Sequence, residues 1–324
     1  MRRLHRLTLP ALAAALWLAG CAGGPPPKAE PPVLPATYTG QPATPAALLA
    51  ADWWKQLDEP GLDAVIEQAL AANLDLRLAA LRIDEAAVAV TLARSAQWPT
   101  VELGSAVTRS RSSQLNGQQV LVPEATTHRL ALTTSFEVDL WGKLRNATQA
   151  AQEQLLAAQH ARDTVRLALA GTVAQAWIGV RSLDRQHALL DAQWLTRRDA
   201  LALVQRRVQA GVASGLDQAQ AEGALAALGA QRLELKRQRE QLVNAIGQLT
   251  NYPGLRLPVN ARPLAAPVAV PAGLPSELLQ RRPDLQQAEA AMRAAFAAYH
   301  VTRKSAWPTL ALTGSLGAQS ADLA

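Results

Sequence analysis

Residues 121–140 alternate with a period of two. His128, Leu130, Leu132, Thr134, Phe136, Val138 and Leu140 fall on one face, and Arg129, Ala131, Thr133, Ser135, Glu137 and Asp139 on the other. Successive side chains of a strand point to opposite faces, so the pattern predicts a strand with one mostly apolar and one mostly polar side. Residues 99–115 read as a partner strand, with Asn116-Gly117 between the two as a hairpin turn. A half-buried soluble sheet gives this alternation. So does a membrane barrel strand with lipid on its apolar side and a water-filled lumen on the other.

Elsewhere the spacing is helical. Leu62 to about Gln97 predicts a helix ended by Trp98-Pro99, and residues 143–210 predict a longer one without proline. In the longer helix Leu144, Ala147, Ala151, Leu155, Ala158, Ala161 and Val165 step by three and four, as in a packed or coiled seam. Its 68 residues span about 100 Å at ~1.5 Å each. Gly211-Val212-Ala213-Ser214-Gly215 then breaks the pattern, and residues 216–250 predict a returning helix. A helix of that length needs a long partner. The stretches 62–97 and 216–250, with 36 and 35 residues, match it if laid end to end.

The chain also repeats itself. A shift of 209 residues superposes Asp75-Leu76 on Asp284-Leu285 and Trp98-Pro99-Thr100 on Trp307-Pro308-Thr309, with 10 identities over residues 75–103. Alanine matches carry little weight here, but a Trp-Pro-Thr triplet in register with a distant Asp-Leu identifies a duplication. Each copy is a helix that ends at Trp-Pro and continues as a strand. The second runs from a helix over 276–306 into a strand over 308–323, after a Pro-rich linker at 251–273. The fold class expected is mainly α with a β-hairpin.

Composition sharpens this picture. There are 67 alanines but only 2 Phe and 3 Tyr, a balance suited to long, closely packed helices rather than an ordinary globular core. One cysteine excludes a disulfide framework or a multi-cysteine zinc site, and His5, His128, His160, His187 and His300 are scattered. No cofactor or metal is expected. Ser214 lies in G-x-x-S-G rather than G-x-S-x-G, so nothing points to a nucleophile or to an enzyme.

The formal charge of +6 is partly N-terminal. Arg2, Arg3 and Arg6 precede the apolar run Leu7–Ala19, which is too short to span a bilayer and reads as an export signal. Without residues 1–20 the basic residues fall from 32 to 29 against 26 acids, leaving +3 and no basic patch for nucleic acid. Leu18-Ala19-Gly20-Cys21 resembles the lipobox of bacterial lipoproteins. That resemblance implies cleavage before Cys21, S-diacylglycerol and N-palmitoyl modification of Cys21, and outer-membrane sorting, since Ala22 rather than Asp follows. Residues 21–60 then form a Pro-rich tether.

The lipobox, the Trp-Pro-Thr repeat, the run Phe136–Arg145 and the run Ala210–Glu222 together resemble the TolC-like outer-membrane efflux proteins, in their NodT-type lipoprotein branch. The resemblance covers essentially the whole chain. It implies a homotrimer whose protomers each give four strands to a shared twelve-stranded barrel and long helices to a periplasmic tube. It places residues 99–140 in the membrane hairpin, with Arg129, Glu137 and Asp139 facing the lumen. Gly211, Val212, Ala213, Ser214 and Asp217 fall at the periplasmic tip, which meets a periplasmic adaptor protein coupled to an inner-membrane pump. Asp217 would join polar links that close the tube. On spacing alone, residues 211–217 also read as a plain helix–helix turn. Trp98, Trp141 and Trp307 suit interfacial anchoring or junction packing equally.

The function implied is a passive exit duct for small molecules. The alternative is an adaptor-type helical-hairpin lipoprotein, which would carry a lipoyl-like β-domain and lack the Trp-Pro-Thr repeat. The family pattern also calls for a second complete hairpin and helical pair. Under the 209-residue shift Ala324 falls on Leu115, so these residues alone are not expected to form a conducting trimer.

Overall fold

The computed structural model describes residues 52–59, 61–111, 124–264 and 279–321. Cys21, most of the tether and the Asn116-Gly117 turn lie outside the described residues. Two compact units emerge. Among the described residues, one comprises 82–111, 124–159 and 287–321, the other 52–59, 61–81, 160–264 and 279–286.

The second unit holds the main apolar core. A 3-10 turn, Trp53–Leu57, precedes helix α1, Leu62–Ala72. Gly61 starts α1 at φ 89, and the Trp177 ring stands 3.0 Å from where a Cβ would be, so only glycine fits. Leu62, Val65, Ile66 and Ala69 form one buried stripe of α1. They pack with Trp54 and with Leu169, Ala170, Val173, Ala174, Trp177 and Val180 of the long helix α3, Lys143–Gln209. Val243 and Ile246 of α4, Gly215–Leu249, complete the cluster. Fully burying each Leu, Ile or Val contributes about 1.5–3 kcal/mol, so this junction fixes the helices here.

The helix expected over 62–97 is in fact two, α1 and α2, Leu74–Ser95. The break is Asn73, whose backbone is extended (ψ 132). Its Oδ1 accepts from Leu76 N at 3.0 Å, capping α2, while its Nδ2 donates to the Leu249 carbonyl at the end of α4. The helix expected over 276–306 is likewise interrupted, at Arg282, and α5 runs Pro283–Lys304. Proline at the first helical position needs no N–H partner. The 209-residue shift maps α2 onto α5 end for end, breaks included.

In the first unit, α2, α5 and the start of α3 lead to a three-stranded antiparallel sheet of order β1-β2-β3. β1 is Thr100–Arg111, β2 Glu124–Val138 and β3 Leu310–Ser320. Gln97 Nε2 donates to Thr148 Oγ1 at 2.5 Å, and Arg293 pairs with Glu153 at 2.9 Å, joining α2 and α5 to α3. Ala290, Ala294 and Ala297 are the buried stripe of α5. The repeat mates β1 and β3 flank β2 with a stagger: Leu103 faces Leu132, whereas Leu312 faces Phe136, four residues further along β2.

Candidate functional site

At the far end of the α3–α4 hairpin, backbone geometry and capping close the turn. Gly211 adopts φ 72; its N–H donates to the Val208 carbonyl, and the Val212 N–H to the Arg207 carbonyl, both at 2.9 Å. These two bonds and the left-handed glycine form a Schellman end. Three residues later Ser214 caps α4. Asp217 N donates to Ser214 Oγ at 3.2 Å, and the Asp217 carboxylate accepts from Ser214 N at 2.9 Å. That capping box satisfies two orphan donors. The Ser214 backbone and hydroxyl hydrogen bonds hold the Asp217 carboxyl below its ordinary range. Val212 is left exposed at the apex and Ala213 partly so.

The strand-to-helix junction is built around Asp139 and Trp141. Asp139 is read from the sequence as lumen-facing, but it lies beyond the end of β2. Its carboxylate turns back to accept from Leu144 N at 3.1 Å and Arg145 N at 2.9 Å, capping α3, and it pairs with the Arg145 guanidinium. The free N–H groups of a helix start attract a carboxylate more strongly than open water does. Glu137, on the polar face of β2, pairs with Lys143 at 2.6 Å. Trp141 stacks on Trp307 with centroids 5.2 Å apart and donates from Nε1 to the Pro308 carbonyl at 2.9 Å. The first copy's junction thus holds the second copy's Trp-Pro, with Thr309 leading into β3. Trp98, the repeat mate of Trp307, is 72% exposed beside Pro99, and Thr100 Oγ1 donates to the Ser135 carbonyl across to β2.

The sheet sorts its side chains by face. Val101, Leu103 and Val107 share one side with Leu130, Leu132, Phe136, Val138, Leu310, Leu312 and Leu316. Most of these are exposed, so a wide apolar surface lies open. The other side carries Arg129 and hydroxyls, with a 380 Å³ depression lined by Thr100, Glu102, Thr133, Ser135, Thr313 and Ser315. Glu102 belongs to that polar face, though the sequence reading omits it; the register with Thr133 reveals it.

A buried clasp in the second unit has no counterpart in the sequence reading. Arg181, with a side chain 5% exposed, pairs with Glu59 at 2.9 Å and donates to the backbone carbonyls of Asn260 and Arg262. Asp184, 2% exposed, pairs with Arg239 at 2.5 Å and accepts from Asn260 N at 2.9 Å. The irregular segment 251–264 is thereby fastened to α3 and α4. The signal was present: Arg181 and Asp184 continue the buried stripe Val173, Trp177, Val180. Among the described residues, no cluster of His, Cys, Asp and Glu could hold a metal ion.

Residues 65–252 and 274–324 match the family described as outer membrane efflux protein. The chain is 33% identical over 274 residues to the pyoverdine export outer membrane protein OpmQ of Pseudomonas aeruginosa, covering 82% of this chain and 57% of that one. It is 32% identical over 281 residues to the antibiotic efflux pump outer membrane protein ArpC of Pseudomonas putida, covering 85% and 57%. The chain thus spans just over half the length of these relatives. Among solved structures it superposes on the outer-membrane channel OprN with a TM-score of 0.82 at 26% identity, covering 92% of this chain and 68% of that one. For the open-state MtrE channel of Neisseria gonorrhoeae the TM-score is 0.75 at 27% identity, covering 93% and 67%. A duplicated helix–Trp-Pro–strand unit, an α-hairpin closed by a Schellman end and capping box, and a sheet with one open apolar face belong together in one lineage: the chain is a member of the outer membrane efflux protein family.

Proposed function

We propose that the protein acts as the outer-membrane duct of a tripartite efflux assembly, passing small molecules outward without covalent chemistry. The observation that carries this reading is the sheet whose apolar face lies open while the opposite face is lined with hydroxyls and charges. Hydrocarbon on one side and water on the other suit such a sheet, because among the described residues nothing covers its leucines. The strands continue directly into helices, one of them 67 residues and about 100 Å long, which suit a tube reaching across the periplasm.

In this reading three copies of the whole protein close the barrel. Acyl chains on Cys21 add a lipid anchor, each buried CH₂ contributing ~0.8 kcal/mol. The exposed apex Val212-Ala213, held by Gly211, Ser214 and Asp217, is the contact for the hairpin tips of an adaptor protein joined to an inner-membrane pump. The partners of this function are therefore lipid, adaptor, pump and further copies of the chain.

The test is fractionation with site-directed cross-linking. The protein is expected in the outer-membrane fraction, labelled by palmitate through Cys21, with a Val212→Cys variant cross-linking to the adaptor. Recovery in the inner membrane, or cross-linking only from residues outside the tip, would overturn the reading. Unchanged palmitate labelling of Cys21→Ala would remove the anchor alone.

A further inference from the structure

On the apolar face of the sheet, the end away from the strand-to-helix junctions carries charge. The register places Arg109 opposite Thr126 and Arg111 opposite Glu124, on the same side as Val101, Leu103 and Val107. Arg109 meets Glu124 at 3.1 Å and Arg111 meets it at 3.5 Å, with both guanidinium side chains at least three-quarters exposed. One carboxylate therefore serves two guanidiniums, leaving one positive charge and most of their N–H donors unused. At the same height the other face offers Thr108, Ser110, Ala125 and Thr127, all uncharged.

Position gives these arginines a meaning. Along β2 the apolar face extends from Val138 to His128, eleven residue positions, the length a tilted membrane strand needs. An arginine facing lipid at the bilayer centre costs about 2–4 kcal/mol, and the cost falls toward zero at the interface. Arg109 and Arg111 begin just past the eleventh position, where burial no longer penalises them. A planar guanidinium matches phosphate oxygens bidentately, and two side by side match a headgroup with more than one phosphate.

We infer that Arg109 and Arg111 form a docking site for a phosphorylated saccharide lipid of the outer leaflet, with its acyl chains lying along Val107, Leu103 and Leu132. This rests on the membrane reading of the sheet. Glu124 competes with the phosphate for both guanidiniums, so it tunes the site from below.

The experiment measures binding of bis-phosphorylated lipid A, and of the same lipid after dephosphorylation, to the purified protein in detergent micelles. Arg109→Gln/Arg111→Gln is expected to weaken phosphorylated-lipid binding roughly tenfold or more. Glu124→Gln is expected to tighten it, and Arg77→Gln/Arg166→Gln, on exposed helical positions, to leave it unchanged. Wild-type affinity in the Arg109/Arg111 variant, or equal affinity for the dephosphorylated lipid, would overturn the site. A spin label at Leu132→Cys in a Cys21→Ala background separates the two readings. A label accessible to water rather than lipid overturns the membrane reading along with this one. A lipid-exposed label with unaffected arginine variants overturns the docking site alone.

Discussion

Asn73 is a single polar residue that does two jobs at a distance of 176 positions, capping α2 and bonding the last turn of α4 through Leu249. Asn73→Ala removes both, and is expected to lower stability by about 1–3 kcal/mol in urea unfolding. Asn73→Ser, which keeps an oxygen to cap α2 and loses the reach to Leu249, should fall between the wild type and the alanine variant. A neutral alanine variant would defeat this account. In the sequence Asn73 sits inside Ala-Ala-Asn-Leu-Asp and passes for an exposed helical residue; its bonds to Leu76 N and to the Leu249 carbonyl hold the break there. Arg181 and Asp184 failed to register for a related reason. Their charge suggests solvent, while their spacing places them among Val173, Trp177 and Val180. Asp217 is different, because its carboxyl is held below the ordinary value near 3.8 by the Ser214 bonds. A depressed folded pKa means its contribution is present above that ordinary value and is lost as pH falls through and below it. Amide protection factors at residues 214–218, which correct for the intrinsic pH dependence of exchange, should therefore fall on acidification below about pH 4. In Asp217→Asn that pH step should vanish.

At the scale of elements, periodicity was the reliable guide. The two faces of residues 121–140, the long helix from Lys143 and the Gly211 reversal are all legible, because each depends on local spacing and backbone preference. The pairing of β1 with β2 is legible too, from the hairpin spacing, whereas that of β2 with β3 is not, since it depends on which distant edges meet. Besides the β2–β3 ladder, one side-chain link between the copies is Trp141 Nε1 to the Pro308 carbonyl. Trp141→Phe keeps the ring against Trp307 and deletes the donor, and the expected loss is about 1 kcal/mol. Hydrogen exchange should report it as faster opening of β3 than of β1. Equal protection of the two strands in the variant would show that the bond contributes nothing to docking.

For the whole molecule, the uncovered surface is the informative quantity. Along α2, Leu74, Leu78, Leu81, Val88 and Leu92 are all exposed, at steps of four, three, seven and four. That spacing is the seam of a coiled helix waiting for a neighbour. In the trimer proposed for the whole protein, Val88→Lys/Leu92→Lys should reduce assembly in cross-linking and sedimentation, with the core at Ile66, Val173 and Ile246 intact by circular dichroism. Trimers of wild-type abundance would show that this stripe is not a subunit contact. Alanine richness foretold closely packed helices, but not which face of α2 stays open. The four-residue stagger of β3 against β1 has a consequence for bore. Repeat mates stand about 10 Å apart across the sheet yet are offset by about 13 Å along it. If their Trp-Pro thresholds are to rest at one depth in the bilayer, the strands must lean. A leaning strand takes up more circumference than an upright one, so a modest number of strands can ring a wide opening.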